Sequence, residues 1–250
     1  MAPPVSLAAT VHDTEARLLP AIERNAERLR TIFAGIALNV TDATPAALND
    51  AARRLLDARI ITHPADETRI GRARRDAVRL ALESAATGIL YCDFDHLLRW
   101  VEGDEAELRA TLAVQPDCDM LVIGRSPSAF AAEPDRLRAT EAIVNRIYEI
   151  ATGRPWDLMF AVRRLSRRAA EAIVRSSRID TLANDVEWPL LAEAQGLSLG
   201  YAPADGLFYR TIEEFGAASD SHDGDAREWI RRIAFAAQNA EALRTYLRKP

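Results

Sequence analysis

The 250-residue sequence has only two cysteines, Cys92 and Cys118, and neither belongs to a Cys-x-x-Cys pair. That scarcity argues against a disulfide scaffold and against a zinc ribbon. Positive charge is not in excess either, since 32 lysines and arginines stand against 37 aspartates and glutamates, for a formal net charge of −5. We therefore expect no nucleic-acid partner, because such partners call for a basic surface. No apolar run approaches the roughly 20 residues of a transmembrane helix.

The N-terminal stretch has no basic segment followed by a long apolar one, so it does not resemble a signal peptide. We expect a cytoplasmic protein. Hydrophobic residues make up 48% of the chain and charged residues 28%, an ordinary globular balance. A chain of this length suits one α/β domain or one domain with two lobes.

Short apolar runs alternate with helical patterns through the first hundred residues. The predicted strands are Val5–Val11, 35–40, 58–62 and 88–92, and the predicted helices are 15–33, Ala46–Leu56 and 71–86. This alternation predicts an α/β fold with a mostly parallel sheet flanked by helices.

The second half is less regular. We predict strands at 120–124, 158–162 and 197–202, and helices at 105–113, 134–152, 166–174, 188–195 and 227–247. Ser166 is the expected cap of one helix, and Gly196 the expected stop after another. Residues 216–224 form the most loop-like stretch. The terminal helix either covers the core or lies on a membrane surface or a partner subunit.

Asp93 and Asp95 follow the fourth predicted strand directly. In an extended segment, residues two apart point the same way, so both carboxylates could face one cation at the carboxyl end of the sheet. Two carboxylates suit Mg²⁺ or Mn²⁺, which take further oxygens from a diphosphate. The alternative is a polar turn that only ends the strand.

Three arginines precede this motif on one face of a predicted helix: Arg72, Arg75 and Arg79. Near a helix start they could reach a phosphate. Alternatively they form a solvated basic face paired with nearby acids.

The order of strand, Gly71-Arg-Ala-Arg-Arg-Asp-Ala helix, strand and Asp-Phe-Asp resembles the GT-A glycosyltransferases, and most closely glycosyltransferase family 2. The resemblance implies a single GT-A domain over 1–250, with a nucleotide-sugar-binding half at 1–97 and a smaller acceptor-side half at 98–250. It implies a UDP- or GDP-sugar donor and Mg²⁺ or Mn²⁺ on Asp93 and Asp95. The donor-binding positions that it implies are Thr10, Val11, His12, Thr41, Asp66, Gly71, Arg72, Arg75, Asp93, Phe94 and Asp95.

The resemblance also implies an acidic motif that faces the acceptor, matched here by Asp185 and Glu187. A carboxylate there would act as general base, and Asp185 is the preferred candidate. The alternative is that Asn184 or Asp185 caps a helix. A Gln-x-x-Arg-Trp motif is lacking, which disfavours a processive synthase and leaves the stereochemical outcome open.

Other candidates remain with two interpretations. His222 is either a third metal ligand from a late loop or an exposed histidine. The tryptophans at 100, 156 and 188 either form an acceptor wall or pack in the core.

The sequence thus predicts a metal-dependent glycosyltransferase whose unidentified acceptor is a small molecule, a glycan or a lipid-linked compound. Oligomeric state stays open. The alternatives are a non-catalytic nucleotide-sugar-binding protein and a nucleotidyltransferase. The second is disfavoured because residues 10–15 form no glycine-rich, lysine-bearing phosphate loop.

Overall fold

A computed structural model of the chain describes residues 4–207 and 222–247. Its strands are β1 (Val5–Val11), β2 (Ile36–Thr41), β3 (Arg59–His63), β4 (Gly88–Tyr91), β5 (Met120–Arg125), β6 (Val162–Ser166) and β7 (Leu199–Ala204). Its α-helices are α1 (Leu19–Ile32), α2 (Ala46–Leu56), α3 (Ile70–Ala81), α4 (Phe94–Ala113), α5 (Pro127–Ala131), α6 (Asp135–Thr152), α7 (Arg167–Ser176), α8 (Asn184–Ala194) and α9 (Ala226–Leu247). Short 3-10 turns cover Glu67–Arg69 and His222–Gly224. No helix in these two ranges is long and apolar enough to cross a membrane.

The strands form one sheet in the order β3-β2-β1-β4-β6-β5-β7. Neighbouring strands run parallel, except that β6 is antiparallel to both β4 and β5. The chain moves outward from β1 to β3 and then returns to the other side of β1 for β4. The carboxyl ends of β1 and β4 therefore flank a switch point of the strand order, where open α/β sheets bind ligands.

Both faces of the sheet are buried at its central strands. On β1, Leu7, Ala9 and Val11 belong to one apolar cluster, whereas Ala8 belongs to the cluster on the opposite face. Successive strand residues point to opposite faces, so a strand covered on both sides must be apolar throughout. This explains the continuous run VSLAATV, which is buried at all seven positions.

The predicted α/β class and mostly parallel sheet are confirmed, and Val5–Val11 and Ala46–Leu56 agree to the residue. The strand predicted at 158–162 is wrong, since the strand there is Val162–Ser166. Two buried arginines, Arg163 and Arg164, interrupt the apolar pattern from which a strand is predicted. Arg163 donates to the carbonyls of Leu158, Val162 and Asp185, so its charge is satisfied inside the protein.

Candidate functional site

A cavity of about 300 Å³ opens beside the carboxyl end of β4. The elements that line it come from both halves of the chain: α3, the β4–α4 junction, α6, α8 and α9. Its charged lining residues are Arg74, Asp93, Asp95, Arg99, Arg125, Glu141, Asp185 and Arg232. The topology thus brings the Asp-Phe-Asp motif and the distant Asp185 to one pocket.

Asp93 is fixed by donors on three sides. Thr10 and Tyr91 donate their hydroxyls to Oδ1, at 2.6 and 2.5 Å, and Arg74 Nη2 donates to Oδ2 at 3.0 Å. Burial raises the pKa of Asp93, but Arg74, His96 and the hydroxyl donors outweigh burial and lower it overall. Asp93 therefore stays ionised.

Asp95 is the more accessible carboxylate, with 37% of its side chain exposed. Arg99 Nη2 donates to its Oδ2 at 3.0 Å. The two aspartates do not lie in one extended segment as expected, because α4 begins at Phe94 and places Asp95 in its first turn. Both side chains nevertheless line the pocket.

Arg74 links the two halves of the site. Only 4% of its side chain is exposed, and Nη1 donates to Asp185 Oδ1 at 2.7 Å while Nη2 reaches Asp93. Asn184 Oδ1 also accepts from Nη1, at 3.1 Å. Burial disfavours the charged form of Arg74 and so lowers the pKa of its guanidinium. The carboxylates of Asp185 and Asp93 outweigh burial, and the pKa of Arg74 rises above the ordinary arginine value. One buried cation is therefore shared by the motif carboxylate and the carboxylate of α8.

The sequence interpretation chose Arg72, Arg75 and Arg79 and missed Arg74. The signal was present, because Arg74 interrupts a buried stripe of α3 that otherwise consists of small and apolar residues. A charge within an apolar helix face indicates a buried, paired group.

Asp185 and Glu187 play different parts. Asp185 lines the pocket, and burial raises its pKa although Arg74 opposes that rise. Glu187 instead accepts from the Ser177 hydroxyl and from the backbone N–H of Arg178 and of Ile179, at 2.5, 2.8 and 3.3 Å. Its carboxylate secures the segment before α8 and is not among the lining groups, so the geometry does not support a role as base.

The alternative interpretation, in which Asn184 or Asp185 caps α8, is wrong. The N-cap residue of α8 is Ala183, and no side chain caps the helix. Asn184 and Asp185 lie inside its first turn, where the side chains of both accept hydrogen bonds from Arg74 Nη1.

Arg125 is the centre of a buried ion cluster in the pocket wall. Its guanidinium pairs with Glu133 at 3.0 Å, Glu141 at 2.5 Å and Asp157 at 2.7 Å. Glu141 also pairs with Arg232 of α9, which attaches this helix to α6 at the rim of the pocket. Sequence reasoning missed this cluster because its members lie on different helices, strands and loops, so no local pattern joins them.

Most other expected donor positions lie outside this pocket. Val11 and Phe94 are core residues, 2% and 0% exposed. His12 Nδ1 lies 3.0 Å from Thr41 Oγ1, at the ends of β1 and β2. Asp66 accepts from the backbone N–H and hydroxyl of Thr68, at 2.9 and 2.7 Å, in an exposed turn.

The α3 positions serve mainly to dock α3 on the 179–181 segment. Gly71 N–H donates to Asp180 O at 2.7 Å, and a Cβ at Gly71 would overlap the carbonyl oxygen of Thr181. Arg75 pairs with Asp180 and donates to the carbonyl of Ile179. Arg72 is half exposed and lines a separate cavity of about 210 Å³ beside β3.

The oxygen ligands fit a hard divalent ion. Among residues 4–207 and 222–247, no group of three His, Cys, Asp or Glu side chains is placed to hold a metal. Asp93 and Asp95 alone would thus hold an ion that takes its remaining oxygens from phosphate and water, which is the usual mode of Mg²⁺. His222 opens the second 3-10 turn and is not among the pocket-lining residues. Its role as a third ligand stays a prediction, and Asp220 and Ser221 lie outside the described residues.

The tryptophans do not form an acceptor wall together. Trp100 and Trp188 are 0% and 2% exposed and belong to opposite core clusters. Trp156 stacks on Tyr201 with ring centroids 5.5 Å apart, beside a different cavity of about 460 Å³.

No protein-family model and no curated protein matches this chain. Solved structures do match. Glucosyl-3-phosphoglycerate synthase from Mycobacterium tuberculosis in complex with phosphoglyceric acid superposes with a TM-score of 0.58 and 10% identity. Its complex with Mn²⁺, UDP and glucosyl-3-phosphoglycerate gives 0.56 and 10%. Each alignment covers 99% of this chain and 81% of the other. The expected GT-A fold is therefore confirmed.

Proposed function

We propose that this chain is a metal-dependent glycosyltransferase that moves a sugar from a nucleoside-diphosphate sugar to an acceptor. The observation that carries the proposal is the Asp93–Arg74–Asp185 arrangement. Arg74 pairs both with Asp93, the candidate metal ligand at the switch point of the sheet, and with Asp185, a second carboxylate of the same pocket. The matched mycobacterial structures, which include a complex with Mn²⁺, UDP-glucose and phosphoglyceric acid, support this assignment.

The donor is a UDP- or GDP-sugar, with its diphosphate at the β4–α4 junction. Asp93 and Asp95 hold Mg²⁺ or Mn²⁺ there through carboxylate oxygens. When bound, the ion neutralises charge on the departing nucleoside diphosphate. Thr10, Tyr91 and Arg74 keep Asp93 oriented, which limits the reorganisation that binding requires.

Asp185 acts on the acceptor side. Arg74 and the start of α8 hold its carboxylate at the pocket surface, where an acceptor hydroxyl can approach. In an inverting transfer Asp185 accepts the hydroxyl proton, and in a retaining transfer it orients the hydroxyl. The anomeric configuration of the product, measured by proton NMR, separates the two.

A nucleotidyltransferase fits less well. Lys249 is the only lysine of the chain, so the β1 end offers no lysine for a phosphate loop. A non-catalytic nucleotide-sugar-binding protein would keep the pocket without turnover, and transfer to any acceptor excludes it.

The first test is a thermal-shift screen of UDP, GDP and their sugars, with and without Mn²⁺. A ligand that binds only the folded state stabilises it by about 2.7 kcal/mol at 100 times its dissociation constant. We expect one nucleotide to raise the Tm only with Mn²⁺, and Asp95→Asn to lose that rise. Asp50→Asn, an exposed charge change on α2, is the matched control. The proposal fails if no nucleotide shifts the wild-type protein.

The second test follows release of the nucleoside diphosphate over a panel of acceptors, phosphoglyceric acid among them. Asp185→Asn should lower kcat by about 100-fold or more while keeping the Mn²⁺–nucleotide shift. Glu193→Gln, an exposed position on the same helix, should leave kcat unchanged. Equal rates for the two variants would remove Asp185 from the reaction.

A further inference from the structure

Both carboxylates of the Asp-Phe-Asp motif already have a cationic partner. Asp93 pairs with Arg74, and Asp95 pairs with Arg99, each at 3.0 Å. Neither guanidinium is a solvated surface group, since their side chains are 4% and 10% exposed. The motif therefore carries its own counter-ions within the protein.

The positively and negatively charged groups that line the cavity are equal in number, while Arg125 has two further carboxylate partners behind the lining, Glu133 and Asp157. The lining groups include four arginines, at 74, 99, 125 and 232, and four carboxylates, at 93, 95, 141 and 185. A bare divalent ion would enter next to two guanidinium groups and leave excess positive charge in a partly desolvated site, which is unfavourable. An ion that arrives with a diphosphate brings compensating negative charge.

We propose that Arg74 and Arg99 are internal counter-ions that prevent the divalent ion from binding alone, so that it binds only with the nucleoside diphosphate. This inference rests on the proposed function, because it concerns the same donor site. Asp95 would then hold the ion together with Asp93, and Arg99 would exchange its carboxylate partner for a diphosphate oxygen. Every charge remains paired through the exchange.

Arg99 rather than Arg74 makes this exchange. Arg74 is held by Asp185 and Asn184 as well as by Asp93, and it is the more deeply buried of the two arginines. Arg99 donates to Asp95 and lies 3.1 Å from His96 Nδ1, and Asp95 is the more exposed of the two motif carboxylates, at 37% against 21% for Asp93. Arg74 therefore remains a positioning residue, while Arg99 serves the diphosphate.

The test measures Mn²⁺ binding by electron paramagnetic resonance, because bound Mn²⁺ loses the six-line signal of the free ion. The wild-type protein is titrated with Mn²⁺ alone and with Mn²⁺ plus UDP, or GDP if the thermal screen selects it. We expect the nucleotide to strengthen Mn²⁺ binding by about 100-fold. Arg99→Gln should bind Mn²⁺ alone about 10-fold more tightly than the wild type, and should gain less from the nucleotide.

Arg79→Gln is the matched control, since it removes the same charge from an exposed α3 pair with Asp76. It should leave Mn²⁺ binding unchanged. Arg74→Gln is the second test variant, used if circular dichroism shows that it folds, and Arg99→Gln suffices if it does not. The inference is overturned if Arg99→Gln behaves like Arg79→Gln. Equal Mn²⁺ affinity of the wild type with and without nucleotide would, because coupling is reciprocal, also contradict the Mn²⁺-dependent thermal shift of the proposed function. Equal behaviour of the two variants leaves the Mn²⁺-dependent thermal shift and sugar transfer of the wild type intact, so that result is distinct from failure of the proposed function.

Discussion

Glu141 offers a quantitative test of the buried ion cluster. It pairs with Arg125 and Arg232 and is 4% exposed. Burial raises its pKa from 4.5 to about 6, even though both arginines oppose the rise. The difference corresponds to about 2 kcal/mol, at ~1.4 kcal/mol per pKa unit. Ionisation of Glu141 near neutral pH therefore lowers the free energy of unfolding by this amount.

The proton binds Glu141 more tightly in the folded state than in the unfolded state, and this difference sets the direction in which stability changes with pH. The folded-state pKa lies above the unfolded one, so the favourable contribution of Glu141 is fully present below about pH 4.5 and is lost as the pH rises through about 6. Glu141→Gln removes this titration. We expect the free energy of unfolding of the wild type minus that of the variant to fall by about 2 kcal/mol between pH 4 and pH 7.

Urea unfolding at several pH values measures this difference, and other titrating groups cancel because both proteins share them. Glu149→Gln, which removes a partly exposed carboxylate from the same helix, is the matched control. A difference curve for Glu141→Gln that stays flat, rises with pH or coincides with that of the control would refute the argument from burial.

Three further substitutions test the framework around the pocket. Gly71→Ala should cost about 2 kcal/mol or more by chemical denaturation, because the new Cβ overlaps the Thr181 carbonyl. Glu187→Ala should cost about 2–3 kcal/mol, since Ser177 and two backbone N–H groups lose a charged acceptor, and it should leave the thermal shift by Mn²⁺ and nucleotide unchanged. Loss of that shift would instead assign Glu187 to the site. Ser166→Ala should cost about 1 kcal/mol through the lost cap of α7, and a neutral effect would contradict the assigned cap.

The first hundred residues were the predictable part of the fold, for a physical reason. Parallel strands buried on both faces are continuous apolar runs, and their covering helices are amphipathic, so two periodicities identify them. The same reasoning placed Asp93 and Asp95 after β4. It failed at β6, where Arg163 and Arg164 are 1% and 6% exposed and interrupt the apolar pattern that identifies a strand.

The pocket was only half predictable. Asp93, Asp95 and Asp185 stand in local patterns, so the sequence indicated them. Arg74 and Arg125 could not be assigned partners, because Arg74 meets Asp185 across 111 positions of the chain and Arg125 meets carboxylates on other elements that no local pattern connects. One sequence contains no information about which distant groups meet. It does show the charge inside an apolar stripe, which is the clue that the interpretation of α3 overlooked.

The choice of arginine for these buried positions has a chemical basis. All but one of the 32 basic residues are arginine. A planar guanidinium presents five N–H donors, so Arg74 can hold Asp93, Asp185 and Asn184 at once, which the single ammonium of lysine matches poorly. Arginine also keeps its charge when buried, whereas lysine loses its proton readily. A conservative Arg74→Lys change should therefore leave one of the two carboxylates without its partner. We expect Arg74→Lys to lose stability or nucleotide-dependent Mn²⁺ binding, whereas the exposed Arg79→Lys change is the control. The difference between the two variants measures what the forked geometry of the guanidinium contributes.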